Sequence, residues 1–403
     1  MKFGAVAPKD ALGATAVHTI RQGTLVLKKG TLIGAAEVAA LEAAGIADVV
    51  VARLEPGDVS EDVAAAAIAQ KIAGAGVHVD RAFTGRANLF AESAGVLVVD
   101  KAAIDRLNRI DEAITVATLA AYKPVVAGEM IATVKIIPFA VAADARDQAL
   151  AAVEAPPVRV APYRVRKVGV VSTLLPGLSP KVIDKTLKIT AERLAPAGAA
   201  IVAERRVPHE RGALAQALAE VLKAGAELAI VFGASAIADR RDVIPAALEA
   251  IGGRVEHFGM PVDPGNLLMI GDAAGHPVIG APGCARSPKE NGFDWILMRL
   301  LAGLAVPRED ITGLGVGGLL MEIVTRPQPR EEPVQPGRAI AGVVLGAGRS
   351  SRMGGPNKLL AEIGGRPLVR IVVEEVLASR ARPVIVVTGH QRERVEEIGR
   401  AHV

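Results

Sequence analysis

The spacing of hydrophobic positions is most regular in the middle of the chain. Apolar, β-branched runs at 165–173, 199–207 and 227–235 are typical of buried strands, and segments 180–194 and 210–224 between them have helical spacing. This βαβαβ order predicts a parallel sheet with right-handed crossovers and helices on both faces. Ligands of such sheets bind at the carboxyl ends of the strands, so the loops after Thr173 and Phe232 are candidate sites.

The first 155 residues have a less regular pattern. Residues 23–34 predict a strand pair around Lys28-Lys29-Gly30, residues 35–45 a short alanine-rich helix closed by a glycine, and residues 48–53 a strand. We expect a mixed α/β region, and its pattern alone indicates no chemistry.

Proline-rich stretches divide the chain. Segment 326–338 contains four prolines and no hydrophobic period, which predicts an extended linker, and 154–158 is a softer boundary. We therefore expect four parts: a mixed α/β region at 1–155, a parallel α/β domain at 160–325, the linker at 326–338, and a third domain at 339–403.

After the linker, the pattern predicts a strand at 340–345, a glycine-rich loop at 346–358, a helix at 367–379 and a second strand at 383–388. In such a βαβ unit, glycines let the backbone approach a phosphate chain closely. Arg352 could bind phosphate oxygens with its guanidinium fork and Lys358 could supply a mobile charge. The loop fits neither a P-loop nor the dinucleotide fingerprint, because its glycines are spaced differently.

Composition narrows the class of protein. The chain has 403 residues, of which 51% are hydrophobic and 2% aromatic, so it is globular and poor in rings that could stack on bases. Its net charge of +4 favours a small anionic ligand over a nucleic acid. The single cysteine, Cys284, excludes internal disulfides and predicts a cytoplasmic protein. The longest apolar run, 228–238, is too short to cross a membrane.

The glycine-rich loop also carries a family resemblance. It approximates L-x-A-G-x-S-x-R-M-G followed by a lysine, and the matching positions are Leu345, Ala347, Gly348, Ser350, Arg352, Met353, Gly354 and Lys358. This resembles nucleotidyltransferases that use an NTP, most closely the MobA-like molybdopterin cytidylyl- and guanylyltransferases. The resemblance implies a Rossmann-like domain whose loop, Ser351 included, wraps the triphosphate, while Arg352 and Lys358 stabilise the pyrophosphate leaving group. The alternative is a glycine-rich surface turn with solvated arginines.

The middle part resembles molybdopterin-binding domains. The segment with Arg241, Asp242, Val243 and Pro245 is similar to a motif of that family, and Asp242 falls where an aspartate handles the cofactor. The turns with Pro264-Gly265 and Pro282-Gly283 also look typical, as do segments 84–88 and 134–138. Residues 233–237, Ser235 among them, replace a glycine-rich cradle, so we expect binding without catalysis.

Alternative readings remain for several of these residues. Asp242 could instead satisfy free N–H groups at a helix terminus. Cys284 is expected to be a packed thiol near a turn and not a nucleophile, because no histidine stands beside it in sequence. His209, His257 and His276 lack metal-ligand spacing and are expected to be surface or turn histidines.

Taken together, the parts resemble bifunctional molybdopterin-binding/MobA-like proteins. This implies molybdenum cofactor biosynthesis with CMP transfer from CTP to molybdopterin, and a molybdoenzyme or its chaperone as a further partner. Two alternatives are a non-catalytic molybdopterin-binding chaperone or scaffold, and a sugar-phosphate nucleotidyltransferase. We expect no nucleic-acid or membrane partner.

The end of the sequence predicts an incomplete enzyme. The family's G-D-x-P aspartate, which holds Mg²⁺, has no counterpart after Lys358, and the third part is far shorter than the ~180 residues such a domain needs. Residues 397–403 break the apolar pattern, and their ordinary codons read as the start of a common short-read sequencing adapter. We therefore expect the natural protein to continue, and this chain to show no turnover.

Overall fold

The structure is a computed structural model that describes residues 1–177, 180–263, 265–320, 341–348, 350, 357–379 and 381–400. The chain forms two compact units, Met1–Glu322 and Ile323–Val403. The predicted linker at 326–338 lies outside the described residues, and the predicted division at 155–160 stays a prediction. Within the described ranges, no helix has both the length and the apolar character that crossing a membrane requires.

The amino-terminal residues form small antiparallel sheets around one helix. Strand β5 pairs with both β1 and β2, and β3 pairs with β4. The elements are β1 Lys2–Val6, β2 Thr15–Ala16, β3 Ile20–Gln22, β4 Leu25–Leu27, α1 Ala35–Ala43 and β5 Val49–Arg53. The predicted helix and the strand after it are confirmed.

The strand pair predicted around Lys28-Lys29-Gly30 is wrong. The chain reverses earlier, between Gln22 and Leu25, where Gly23 has a φ of 57°. Glycine adopts this left-handed conformation without steric cost, so the two-residue turn forms there. The second glycine, Gly30, instead donates its N–H to the carbonyl of Ala16 and returns the chain towards β2.

Residues 58–162 continue the mixed α/β pattern. Helix α2 buries Ala65, Ile68 and Ile72 in the same hydrophobic cluster as the four-stranded antiparallel sheet β10-β12-β8-β7. A second sheet has the order β11-β9-β14. The elements are β6 Asp58–Ser60, α2 Glu61–Ile72, β7 Val77–Val79, β8 Arg86–Ala91, β9 Gly95–Val99, α3 Lys101–Asn108, β10 Ile114–Thr118, β11 Pro124–Val125, β12 Met130–Ile136, β13 Ala140–Ala142, α4 Ala143–Ala151 and β14 Val158–Pro162.

A six-stranded sheet with the order β16-β15-β17-β20-β19-β18 occupies the rest of this unit. Its apolar positions alternate between two cores: Val170 and Phe232 face the core that contains α8, whereas Val171 and Val231 face that of α6 and α7. The elements are β15 Lys167–Leu174, α5 Pro180–Leu194, β16 Ala200–Pro208, α6 Arg211–Lys223, β17 Leu228–Phe232, α7 Val243–Ala250, β18 Arg254–Met260, β19 Asn266–Ala273, β20 His276–Ala281, α8 Gly292–Leu301 and α9 Arg308–Thr312.

The predicted βαβαβ order and the parallel arrangement of its three strands, β15, β16 and β17, are confirmed, but the sheet also contains an antiparallel strand that the pattern did not predict. Strands β16, β15, β17 and β20 are parallel, whereas β19 runs antiparallel to both β20 and β18. The reason is a tight turn between β19 and β20 at Ala274 and Gly275, which have φ values of 54° and 86°. A two-residue hairpin can connect only antiparallel strands.

The second unit contains the predicted βαβ arrangement. Strand β21 (Gly342–Gly346) pairs in parallel with β24 (Val384–Thr388), and α10 (Leu368–Ala378) lies between them in sequence. The other elements are the short strands β22 Glu362–Ile363 and β23 Arg366–Pro367 and the helix α11 Arg392–Arg400. One face of the strand pair leaves Leu345 and Ile385 exposed.

Candidate functional site

The carboxyl edge of the six-stranded sheet gathers most of the predicted molybdopterin residues. Parallel strands end at the same edge, so Ser235 after β17 and Pro282 and Gly283 after β20 lie there together. The turn between β18 and β19 reaches this edge as well and includes Gly265. Pro264, in the same turn, lies outside the described residues.

One peptide group at this edge is held from two directions. The N–H of Ala234 donates to Thr173 Oγ1 at 2.8 Å, and the carbonyl of Gly233 accepts from Arg286 Nη2 at 3.0 Å. Both polar groups of the Gly233–Ala234 peptide are thereby used, which fixes its orientation at the start of the loop. A Cβ on Gly233 would lie 2.6 Å from the carbonyl oxygen of Ser235, so this position requires glycine.

Arg286, Thr173 and His209 have roles that the sequence did not reveal. Arg286 also donates to Thr186 Oγ1 at 3.0 Å and lies 5.3 Å from the ring centre of Phe232, and its burial lowers the pKa of its guanidinium. Thr173 Oγ1 lies 2.8 Å from Nδ1 of His209, which is partly buried in the turn between β16 and α6, in agreement with the expected turn position. In the sequence, these roles are indicated only by the position of Arg286, which is the first charged residue after the apolar strand β20.

Asp242 lies at the start of a helix, as the alternative interpretation of this residue predicts. Its carboxylate accepts from the N–H of Val243 at 2.7 Å, at the start of α7, and from that of Ala238 at 3.0 Å. Both carboxylate oxygens are thus engaged by the chain itself, whereas Ser235 is exposed and donates to the carbonyl of Ala236. Asp242 therefore shapes the loop, whereas Ser235, like Asp239 and Arg241, is exposed from it.

Two buried polar atoms at this edge have no hydrogen-bond partner. They are Ser172 Oγ, near the end of β15, and Asn266 Nδ2, at the start of β19, and their residues are 1% and 6% exposed. Buried polar groups are nearly always paired, because an unpaired one costs about 1–3 kcal/mol. This edge thus has hydrogen-bonding capacity that the described residues do not use.

Cys284 lies at the same edge, in the turn after β20, and differs from its prediction. The residue as a whole is exposed in the turn Gly283–Arg286, where the prediction placed a packed thiol. Its thiol donates to Asn291 Oδ1 at 3.5 Å, and partial burial of the sulfur raises the pKa of the thiol. A raised pKa leaves little thiolate at neutral pH, which disfavours a nucleophilic role.

We expect iodoacetamide to alkylate Cys284 more slowly at pH 7.5 than it alkylates a free thiol, because only the thiolate reacts. Raising the pH should accelerate labelling, with a midpoint above the ordinary thiol pKa. Mass spectrometry checks this directly, since the chain has one cysteine and Cys284→Ser removes all labelling. A midpoint below the ordinary value would contradict the expectation.

The two sequence segments typical of molybdopterin-binding proteins in the first unit bind each other. Lys135, in segment 134–138, donates to the carbonyl of Thr84 at 2.6 Å, and Gly85 donates to Asp62 Oδ1 at 2.6 Å. Strands β8 and β12, which carry the segments, are paired. These contacts account for the two segments as parts of the fold.

The glycine-rich loop of the second unit starts at the carboxyl end of β21. Ala347 accepts from the N–H of His390, which follows β24, at 3.3 Å. A Cβ on Gly389 would lie 2.7 Å from that of Ala347, so the two segments touch. The loop start is therefore held against the end of the neighbouring strand, where a parallel sheet binds ligands.

A buried asparagine joins both ends of this loop. Asn357 is 4% exposed and accepts from Ser350 Oγ and from the N–H of Leu359, both at 3.1 Å. Its Nδ2 donates to the carbonyl of His390 at 3.4 Å, and Ser350 Oγ accepts from the N–H of Lys358 at 3.0 Å. Sequence reasoning assigned no role to Asn357, although an asparagine before the lysine is a signal for a capped turn.

The candidate NTP-binding residues that the structure describes lie in this loop or at its ends. The exposed Leu345 ends the strand together with Gly346, Ala347 and Gly348 follow, and Ser350 has a φ of 55°. Lys358 is exposed and forms no ion pair with any side chain that the structure describes. Ser351, Arg352, Met353 and Gly354 lie outside the described residues.

Among the residues that the structure describes, no group of three or more His, Cys, Asp or Glu side chains could hold a metal.

Comparison with known proteins gives a match for the second unit. Residues 342–402 match the family model of the MobA-like NTP transferase domain, which confirms the predicted nucleotidyltransferase resemblance of this segment. The bifunctional protein GlmU of Anaeromyxobacter sp. (strain K) is 47% identical over 58 residues, 14% of this chain and 12% of that protein. GlmU of Anaeromyxobacter sp. (strain Fw109-5) is 45% identical over the same length. The chain thus spans 12% of the length of the curated relatives it matches.

Two solved structures are also similar to part of the chain. The tungsten cofactor synthesizing protein MoaB from Pyrococcus furiosus has 18% identity and a TM-score of 0.25, and the match covers 34% of this chain and 92% of that chain. The molybdopterin biosynthesis enzyme MoaB from Thermus thermophilus has 18% identity and a TM-score of 0.25, covering 35% and 98%.

Proposed function

We propose that this protein acts in molybdenum cofactor biosynthesis, binding molybdopterin and transferring CMP from CTP to it. The observation that carries the proposal is the loop after β21. Lys358 is exposed there without an ion-pair partner among the described side chains, in a segment that matches a MobA-like NTP transferase domain. An unpaired cation beside a glycine-bearing loop suits the polyphosphate of a nucleotide.

The acceptor site in this proposal is the carboxyl edge of the six-stranded sheet. Ser235, Gly265, Pro282 and Gly283 surround it, and the unpaired Ser172 Oγ and Asn266 Nδ2 lie beneath. Arg286 adds positive charge near the Gly233–Ala234 peptide. A pterin that carries a phosphate matches an edge with both hydrogen-bonding capacity and positive charge.

The reaction in this proposal is an in-line displacement at the α-phosphorus of CTP. An oxygen of the terminal phosphate of molybdopterin forms the new P–O bond, and the bond to the bridging oxygen breaks and releases pyrophosphate. The ammonium of Lys358 stabilises charge on the pyrophosphate, and Arg352 has the same role in the resemblance. Positioning and positive charge supply most of the catalysis in such reactions.

A second candidate function is a molybdopterin-binding chaperone or scaffold without catalysis. The observation that favours it is Asp242, whose carboxylate oxygens both accept from backbone N–H groups. A carboxylate engaged in this way holds the loop and is poorly placed for proton transfer. This candidate binds pterin and shows no dependence on NTP.

The test is CTP binding by the intact chain, measured by isothermal titration calorimetry. We expect binding, and a loss of about tenfold or more in Lys358→Gln, because charged hydrogen bonds contribute about 1.5–3 kcal/mol. Arg382→Gln is the matched control: it also removes one positive charge, from the side chain that holds the carbonyls of Leu377 and Ala381 before β24 begins.

Three outcomes separate the candidate functions. No CTP binding by the intact chain, or equal binding by Lys358→Gln, would overturn the nucleotidyltransferase proposal. Pterin binding with no CTP binding would favour the chaperone. Competition of a hexose 1-phosphate against molybdopterin would indicate a sugar-phosphate nucleotidyltransferase.

A further inference from the structure

We propose that Asn357 is a positioning residue of the nucleotide loop, and that its amide holds the two ends of the loop in the shape that receives a triphosphate. This inference rests on the proposed NTP-binding function. The side chain contacts Ser350 at the start of the loop, the turn after Lys358, and His390 beyond β24. One buried group thus joins the two ends of the loop to His390, 33 residues further along the chain.

The contacts of Asn357 require both halves of an amide. Its Oδ1 faces two donors, and the N–H of Leu359 can only donate, so the oxygen must lie on that side. Its Nδ2 then faces the carbonyl of His390, which can only accept. The orientation of the amide is therefore determined by partners that cannot exchange roles.

The same contacts link the side chain of Asn357 to the backbone of Lys358. The N–H of Lys358 donates to Ser350 Oγ, whose own proton goes to Asn357 Oδ1. Removal of the Asn357 side chain therefore releases Ser350 and the backbone that carries the lysine. The ammonium of Lys358 is itself outside this network, so Asn357 acts on the ligand only through the position of the loop.

The variant Asn357→Asp should bind CTP more weakly because its side chain lacks one hydrogen-bond donor. Asn357→Asp preserves size and shape and still accepts from Ser350 and Leu359. It loses the donor to His390 and places an ionised carboxylate against a carbonyl oxygen, which costs free energy for a buried group. Protonation of the carboxyl restores a donor, so the defect of the variant should diminish as the pH falls.

Asn108 provides a matched control in the other unit. Its amide makes the same kind of two-sided contact, donating to the carbonyl of Val116 at 2.9 Å and accepting from the N–H of Val116 at 2.8 Å. Asn108→Asp applies the same chemical change to a comparable amide far from the nucleotide loop in sequence. It should leave nucleotide binding unchanged.

The experiment measures CTP and CMP binding by the intact chain, the two aspartate variants and Ser350→Ala. In Asn357→Asp we expect CTP binding at pH 8 to weaken about tenfold, the size expected when a buried hydrogen-bonded group loses its partner. CMP, which lacks the outer phosphates, should lose less than twofold. The ratio of variant to intact-chain dissociation constants for CTP should fall towards one near pH 5. Ser350→Ala, which introduces no charge, should show the same selective loss of CTP without the pH dependence.

Hydrogen exchange of the unliganded chain provides a readout without nucleotide. Asn357→Ala removes the acceptor Oδ1. The amide of Leu359, which donates to it, and the amide of Lys358, which donates to Ser350 Oγ, should therefore exchange faster. Asn108→Ala should leave them unchanged. Unaltered exchange of these amides in Asn357→Ala would overturn the inference.

The outcomes separate this inference from the proposed function. If the intact chain binds no CTP, the proposed function fails, and hydrogen exchange still decides whether Asn357 holds the loop. If the intact chain binds CTP and Asn357→Asp keeps the same affinity and the same preference for CTP over CMP, the inference is wrong. An equal loss of affinity for CTP and CMP in Asn357→Asp would also contradict the inference, because the effect would then not depend on the triphosphate.

Discussion

Replacing Arg286 with alanine is expected to destabilise the first unit by about 2–3 kcal/mol, because its two charge-assisted hydrogen bonds to buried partners disappear. These bonds go to Thr186 Oγ1 and to the carbonyl of Gly233, and the guanidinium also packs over the ring of Phe232. Without Arg286, the Gly233–Ala234 peptide keeps only its contact with Thr173. We therefore also expect molybdopterin binding to weaken at least about tenfold.

Urea unfolding followed by tryptophan fluorescence measures this change, because the single tryptophan, Trp295, lies in α8 of the first unit. Arg254→Ala is the control. It removes an arginine at the start of β18, the opposite edge of the sheet, where the side chain is exposed and paired with Glu256. Exposed ion pairs contribute little to stability, so the free energy of unfolding should change by less than about 1 kcal/mol in Arg254→Ala. Equal effects of the two substitutions would contradict the assignment of Arg286.

Replacing Gly389 with alanine is expected to abolish CTP binding and to loosen the second unit. The new Cβ would lie 2.7 Å from Cβ and 2.9 Å from the backbone Cα of Ala347, so the loop start must move away from the end of β24. Overpacking of this kind costs about 1–3 kcal/mol, and here it also strains the hydrogen bond from His390 to Ala347.

Gly348→Ala is the informative comparison for this prediction. A Cβ on Gly348 meets no described atom within 4 Å, so the fold of the unit should be retained. CTP binding should nevertheless weaken, because the methyl group would stand where the backbone approaches the phosphates. Hydrogen exchange of the amides in β24 and α11 shows whether the fold of the second unit is retained. Calorimetry measures the affinity for CTP. Unchanged exchange and unchanged binding in Gly389→Ala would contradict the role of this contact.

Local pattern predicted much of the fold because its signals are short in range. Helix α5 begins at Pro180 and ends at Leu194 as its spacing predicts, and β21, α10 and β24 form the predicted βαβ unit. The parallel order of β16, β15 and β17 follows from alternating strands and helices, since each helical crossover returns the chain in the same direction.

The failures occurred where a turn or a long-range contact decided the outcome. Ala274 and Gly275 reverse the chain in two residues, which makes β19 antiparallel, and Gly23 places the first hairpin earlier than the lysine pair suggested. The exposure of Cys284, between the buried residues Pro282 and Ala285, is a property of the folded turn.

The sequence by itself determined which family the second unit resembles. The glycines and Lys358 of the loop, in a strand–loop–helix order, were sufficient to predict a nucleotidyltransferase resemblance that the family match confirms. Motif residues contact ligands directly, so their types and spacing are visible along the chain.

Only the tertiary structure decided which residues hold these sites in shape. Thr173 and Arg286 fix one peptide from positions 61 and 53 residues away, and Asn357 reaches His390 across 33 residues. Asp242, which the motif marks, instead binds the backbone of its own loop. A supporting residue contributes through hydrogen bonds to backbone groups, which every residue offers, so no side-chain pattern identifies its partner until the chain has folded.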